Sequence, residues 1–158
     1  MKKKEEIPLR LGVGIILLNN NNEVLVGKRL DNPKNFWQMP QGGVNDNEDF
    51  FKAAKRELEE ETGVKSIKLI KELKGWFSYD LPEHLMGKIW KGKYRGQKQK
   101  WFIMKFLGDD REINIKTEKP EFLDWKWIPF SELPGVAVEF KSNIYKKIAK
   151  EIATTILD

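Results

Sequence analysis

The chain has no cysteine and a single histidine, His84. The first absence rules out disulfides, thiol nucleophiles and thiolate-held metals, and is compatible with a cytoplasmic location. The second leaves little room for imidazole chemistry, and His84, in a loop, is read as solvated surface with no assigned role. No apolar run approaches the ~20 residues that span a bilayer, so no membrane association is expected. Repeats, low-complexity tracts and linkers are missing too, so the 158 residues are expected to form one domain with a sizeable core. The N-terminal MKKKEEIPLR is basic but lacks the apolar stretch of a secretory signal. Residues 1–9 are expected to be a short flexible arm, and 10–158 the domain, acting as a monomer.

What is present is 40% hydrophobic and 34% charged, a balance suited to a soluble folded protein. The net charge is +5, and its distribution says more than its total. From His84 through Lys105 there are seven Lys or Arg residues and no Asp or Glu, with Trp90, Tyr94, Trp101 and Phe102 among them. Cations interleaved with aromatics suit a polyanion carrying stackable bases; the plain alternative is a solvated basic strand and loop whose rings fill the core.

Hydrophobic patterning predicts a strand over Val13–Leu18, a polar turn at Asn19–Asn22 and a second strand over Val24–Arg29. A polar loop over Asp31–Asn35 leads to a short strand at Phe36–Met39. A helix follows, starting near Asn47 or Glu48, stopping at Gly63, and facing the core with Phe50, Phe51, Ala54 and Leu58. Strand-like runs come next over Ser66–Asp80, Lys98–Leu107 and Phe122–Ile128. The final segment, Phe140–Leu157, repeats isoleucine at 144, 148, 152 and 156 and reads as an amphipathic helix. Strands on both sides of two long helices predict an α/β fold, an α/β/α sandwich around a mixed β-sheet.

The chemistry concentrates in residues 42 to 64, GGVNDNEDFFKAAKRELEEETGV. Glu57, Glu60 and Glu61 fall at i, i+3 and i+4, so three carboxylates crowd one helix face. Like charges at that spacing repel and raise one another's pKa, so the cluster calls for an offsetting partner. Hard oxygen donors of this kind suit Mg²⁺ or Mn²⁺, which commonly bridge to phosphates. Such ions neutralise a pyrophosphate's charge and acidify water, and a neighbouring carboxylate can take the proton. The residues alone leave open which glutamate does so. Arg56, flanked by carboxylates, is expected to orient Glu57, and Gly42 and Gly43 to form a tight turn that brings backbone close to the metal.

Gly42, Glu48, Arg56, Glu57, Leu58, Glu60, Glu61, Gly63 and Val64 fill every fixed position of the Nudix box, so the chain resembles the Nudix hydrolases. That family cleaves nucleoside diphosphates linked to another moiety. PQGGV at 40–44, YDLP at 79–82, GQKQKWF at 96–102, PEF at 120–122 and EFK at 139–141 extend the likeness from about Arg10 to Ile156. Together these segments resemble one subgroup, the bacterial RNA pyrophosphohydrolases and dinucleoside polyphosphate hydrolases.

The resemblance implies the Nudix fold and the following roles. Glu57 serves as general base and metal ligand, Glu60 and Glu61 as ligands, and Glu121 as a distal carboxylate reaching the same ions. Arg10, Tyr79 and Gln97 fall where phosphates are contacted; Arg29, Phe140 and Lys141 fall where a base is held. Phe140 could equally staple the last helix. Phe36 departs from the pattern, replacing a small polar residue; it offers a stacking platform for adenine or narrows the choice of second nucleotide.

The expected reaction is metal-dependent removal of pyrophosphate from the 5′-triphosphate end of RNA, an opening step of RNA decay. The alternative is hydrolysis of dinucleoside polyphosphates such as diadenosine tetraphosphate. A catalytically silent nucleotide-binding module is a distant third, disfavoured because such a module has no use for so costly a carboxylate cluster.

Overall fold

The computed structural model describes residues 3, 6–31 and 34–157. Part of the expected arm (residues 1, 2, 4 and 5) and two residues of the Asp31–Asn35 loop lie outside that range.

The frame is one mixed sheet. Its strands are β1 (Leu9–Leu18), β2 (Glu23–Arg29), β3 (Gln41–Gly43), β4 (Ile67–Glu72), β5 (Phe77–Asp80), β6 (Gly96–Phe106) and β7 (Phe122–Pro129). The order is β4-β6-β1-β2-β7, with β3 added beside β1 and β5 beside β6. Among the described strands only β1 and β6 run parallel, in register from Leu9 opposite Gly96 to Leu18 opposite Lys105. The helices are α1 (Phe50–Thr62), the short α2 (Leu133–Val136) and α3 (Ser142–Leu157).

Period-two alternation along β1 divides the core. Val13, Ile15 and Leu17 face α1 with Ala53, Ala54 and Leu58. Ile16 and Leu18 face α3 with Ile144, Ile148 and Ile152. Two apolar layers on opposite faces of a mixed sheet make the expected α/β/α sandwich.

Several elements differ from their expected bounds. β1 starts at Leu9, four residues early, because main-chain pairing with β6 rather than apolar side chains defines its first half. Pro8 and Ile7, within the expected arm, are tied as well: Pro8 O accepts the Arg95 N–H at 3.0 Å, and Ile7 O accepts from the Arg95 guanidinium at 3.2 Å. The strand expected at Phe36–Met39 reduces to a bridge between Gln38 and Gly27. Pairing resumes at Gln41–Gly43, after Pro40, which has no N–H to donate.

Helix α1 starts at Phe50 because Asn47 sits at φ 62°, a left-handed conformation that no helix can include. Asp49 caps it by accepting the Lys52 N–H, and Gly63 ends it at φ 75° with its N–H on Glu59 O. The Ser66–Asp80 run breaks into β4 and β5 at Gly75, which also has positive φ, 78°. A 3-10 turn over Glu139–Lys141 precedes α3, so Phe140 stands outside that helix.

Candidate active site

The site forms where β3 lies between β1 and α1. Gly42 and Gly43 are strand residues, not the tight turn expected of them, and neither has positive φ. Their missing side chains serve a different need. A Cβ on Gly42 would overlap the Glu57 carboxylate, and one on Gly43 would overlap the Arg10 guanidinium. These glycines let an acid and a base approach the strand from opposite sides.

Arg56 holds the acidic face together. Its Nε and Nη2 grip the two Glu48 oxygens at 2.9 Å each, and Nη2 also reaches Gly43 O at 2.8 Å. Nη1 holds Glu57 Oε1 at 2.9 Å and Glu60 Oε2 at 3.3 Å. This bidentate, charge-assisted clamp pulls the Glu48 carboxyl down to about 2, with help from the Asn45 N–H. Glu48 and Arg56 stand behind the cavity wall, so both act through the groups they hold.

Glu57 and Glu61 have the opposite electrostatics. Burial pushes the Glu57 carboxyl up despite Arg56. Glu61 is held well above the ordinary range, first by burial and then by the charges of Glu57 and Glu121; among the described residues its one hydrogen bond comes from the Gln41 N–H at 3.2 Å. Glu121 comes in from the loop before β7, which is fastened by the Leu30 N–H on Glu121 O at 3.0 Å. Its carboxylate lies 3.8 Å from the Arg29 guanidinium, which is also paired with Asp31 at 2.7 Å. As the side chains lie, no three acidic or histidine groups among the described residues converge closely enough to enclose an ion. Glu57 and Glu60 turn instead toward Arg56.

Opposite this face are cations and rings. Arg10 lies over the Trp90 ring, 5.3 Å from its centroid. Tyr79 and Phe140 stack at a tilt with centroids 5.5 Å apart, and burial lifts the Tyr79 phenol to about 12. The Lys141 ammonium is buried beside both rings and donates to Gln38 Oε1 at 3.2 Å. Burial, aided by the nearby charge of Arg29, pulls it down to about 7. Gln38 Nε2 is buried with no hydrogen-bond partner among the described residues.

Both faces line one cavity of about 1140 Å³. It brings together Glu57, Glu60, Glu61 and Glu121 with Arg10, Arg29, Tyr79, Gln97, Phe140, Lys141 and Phe36, residues that span most of the chain. Sequence reasoning did not assign Gln38, Gln41 or Trp90 to the site, and all three line it. Gly12 was also missed: a Cβ there would lie 2.6 Å from Gln97 Oε1 and 2.8 Å from Gly42 O. The alternation in LRLGVGIILL, with glycines at 12 and 14, was the available signal for a close approach on one strand face. The basic–aromatic segment divides. Trp90 and Gln97 reach the cavity, whereas Lys98 and Lys100 pack over Trp76 at 4.5 and 4.6 Å from its ring centroid.

The NUDIX domain matches residues 8–148. The chain is 58% identical over 149 residues, 94% of each sequence, to a protein of Pelagibacter ubique named RNA pyrophosphohydrolase. It is 44% identical to a protein of the same name from Rickettsia conorii, over 98% of this chain and 96% of that one. Among solved structures, the E. coli dihydroneopterin triphosphate pyrophosphohydrolase superposes with a TM-score of 0.71 at 20% identity, over 91% of this chain and 99% of that one. A C. elegans Ap4A hydrolase does so at 0.63 and 18%, over 90% and 98%. At such identities these two structures speak for the fold alone. With the NUDIX match covering most of the chain and relatives alike over nearly their full length, this chain belongs to the Nudix family.

Proposed function

We propose that this protein removes pyrophosphate from 5′-triphosphorylated RNA, leaving a 5′-monophosphate. The observation that carries this reading is the composite cavity, with carboxylates on one side and cations with stacked rings on the other. A triphosphate end followed by bases has the complementary form: a dense anionic head and flat π-surfaces behind it. The Pelagibacter and Rickettsia relatives bear the name of that activity.

Nudix hydrolases depend on divalent metal ions, here Mg²⁺ or Mn²⁺. The residues fit such an ion. Glu61 is a buried carboxylate with one main-chain donor and two acidic neighbours, so a hard cation answers the charge that its surroundings leave uncompensated. Glu57, Glu60, Glu61 and Glu121 would hold it. When bound, the ion neutralises the phosphates and makes water a better acid.

The remaining steps belong to the chain. Arg10, Tyr79 and Gln97 hold the phosphates, and Arg29, Phe140 and Lys141 hold a base. Arg56 fixes Glu57 so that its carboxylate accepts the proton of the attacking water. The new P–O bond forms as the anhydride bond breaks, and pyrophosphate departs. Acting on RNA, the protein would work in the cytoplasm, and as a monomer.

A second reading rests on Phe36, which is 37% exposed where it lines the cavity and could stack a second adenine. Catalytic efficiency on a short 5′-triphosphorylated RNA and on diadenosine tetraphosphate, with Mg²⁺ or Mn²⁺, separates the two. Preference for RNA is expected, with Glu57→Gln lowering turnover by about 10²- to 10⁴-fold. Preference for the dinucleotide would transfer the role to nucleotide clearance. Activity on neither would overturn both.

A further inference from the structure

Behind the phosphate-facing Gln97 lies a buried amide chain whose deeper members, Gln99 and Trp101, have no part in the proposed reaction. Gln97, Gln99 and Trp101 alternate along β6 and so share one face. Gln97 and Gln99 are each 1% exposed, and Trp101 is fully buried. Trp101 Nε1 donates to Gln99 Oε1 at 3.2 Å. Gln99 Nε2 donates to Gln97 Oε1 at 2.8 Å and to Gln41 Oε1 at 3.2 Å.

The direction of this chain is not arbitrary. An amide can turn over and exchange its donor and acceptor ends, and a row of amides can turn over together without losing a bond. An indole cannot, because its N–H only donates. Turning Gln99 would set its NH₂ against that N–H and leave a buried donor unmade, a bias of about tenfold or more against the reversed state. Trp101 therefore commits Gln99 Oε1, and Gln99 commits the oxygens of Gln97 and Gln41. What those two residues have left are their NH₂ groups, one N–H of Gln41 being given to the Tyr79 phenol, and both residues line the cavity. In the opposite sense they would present carbonyl oxygens to an anionic substrate.

We propose that Gln99, held by the Trp101 indole, is a positioning residue that turns the Gln97 and Gln41 amides to donate to the substrate's phosphate oxygens. This inference rests on the phosphoanhydride reading of the site but not on the choice between RNA and dinucleotide.

Gln99→Glu tests it with almost no change of shape. One carboxylate oxygen still accepts from Trp101, but the other cannot donate, so Gln97 and Gln41 must turn over to satisfy it. KM for the triphosphorylated RNA should rise about tenfold or more with kcat within about twofold, because contacts made equally in the bound and transition states are lost. The defect should shrink as pH is lowered, since a protonated carboxyl donates again. Gln99→Met, which avoids a buried charge, should raise KM in the same way if Gln99→Glu fails to fold. In parallel, ¹⁵N-resolved side-chain amides of Gln97 and Gln41 should shift with inorganic pyrophosphate in the wild type and not in the variants.

A folded Gln99→Glu or Gln99→Met with wild-type KM, or with reduced kcat at unchanged KM, would overturn the proposal. So would wild-type amides indifferent to pyrophosphate. Because the amide titration needs no turnover, it still decides the matter if the wild type proves inactive on RNA.

Discussion

At the scale of single residues, the site is built from charges held away from their ordinary state. Lys141 shows this most directly, buried and pulled down to about 7 from the usual lysine value of 10.5. Between those two values the unfolded chain carries a proton that the folded protein has shed, so stability rises with pH across that window, by up to ~1.4 kcal/mol per unit. Below pH 7 both states are charged and the burial penalty is felt in full. Lys141→Met is therefore expected to raise the denaturation midpoint at pH 6, with the gain shrinking by pH 10 while substrate affinity falls; urea titrations at three pH values read it. Arg56 works the other way, as a fixed cation with its donors divided among Glu48, Glu57, Glu60 and Gly43 O. A lysine cannot span that set with its single ammonium. Arg56→Lys is expected to lower kcat about tenfold or more through a misplaced Glu57, a loss that single-turnover kinetics would locate in the chemical step.

At the scale of elements, the cavity depends on how closely β1, β3 and β6 approach one another. β3 pairs with Gly12–Gly14 of β1 while β6 pairs with the same stretch from its other edge. Gly12 thus stands between Gln97 and the Gly42 carbonyl. Gly12→Ala would have to displace one of them, and the backbone carbonyl is the less able to move. The expected cost is about 1–3 kcal/mol with a several-fold rise in KM, measured by thermal melting and steady-state kinetics. Helix α1 is placed with similar economy. The Asp49 cap and the Gly63 stop fix its two ends, and with them the angle at which Glu57 and Glu61 meet β3.

At the scale of the whole molecule, two apolar layers share one sheet, so we propose that the described residues unfold as a single unit. Calorimetry should show one transition, with matching calorimetric and van't Hoff enthalpies. Mg²⁺ or Mn²⁺ should raise its midpoint, because an ion that binds only the folded state adds RT ln(1 + [L]/Kd). Chelator should reverse the rise. Glu61→Gln should abolish most of it while making the metal-free protein more stable, since it removes a buried charge that burial, Glu57 and Glu121 all oppose. A Glu61→Gln variant that keeps the full metal response would take Glu61 out of the ligand set.

The carboxylate cluster, its arginine and the Gly63 stop of α1 were legible in the sequence because they are local, whereas the Asp49 cap was not. Spacing along one helix puts Glu57, Glu60 and Glu61 on one face, and Gly63 can stop that helix wherever it sits. Apolar patterning likewise announced most strands, though not β3 or the first half of β1, whose pairing is made by backbone that side chains do not reveal. Gly42 and Gly43 were read as a turn because glycine's lack of a side chain permits either a positive φ or a close neighbour. Only the packing of Glu57 and Arg10 against β3 decided for the second. The buried state of Lys141, the direction of the Gln99 amide chain and the meeting of Glu121 with Glu61 join residues far apart in the chain. The sequence by itself determined which groups the chain brings to the reaction; the tertiary structure decided which way they face and how charged they are, because orientation and desolvation are set by neighbours that only folding supplies.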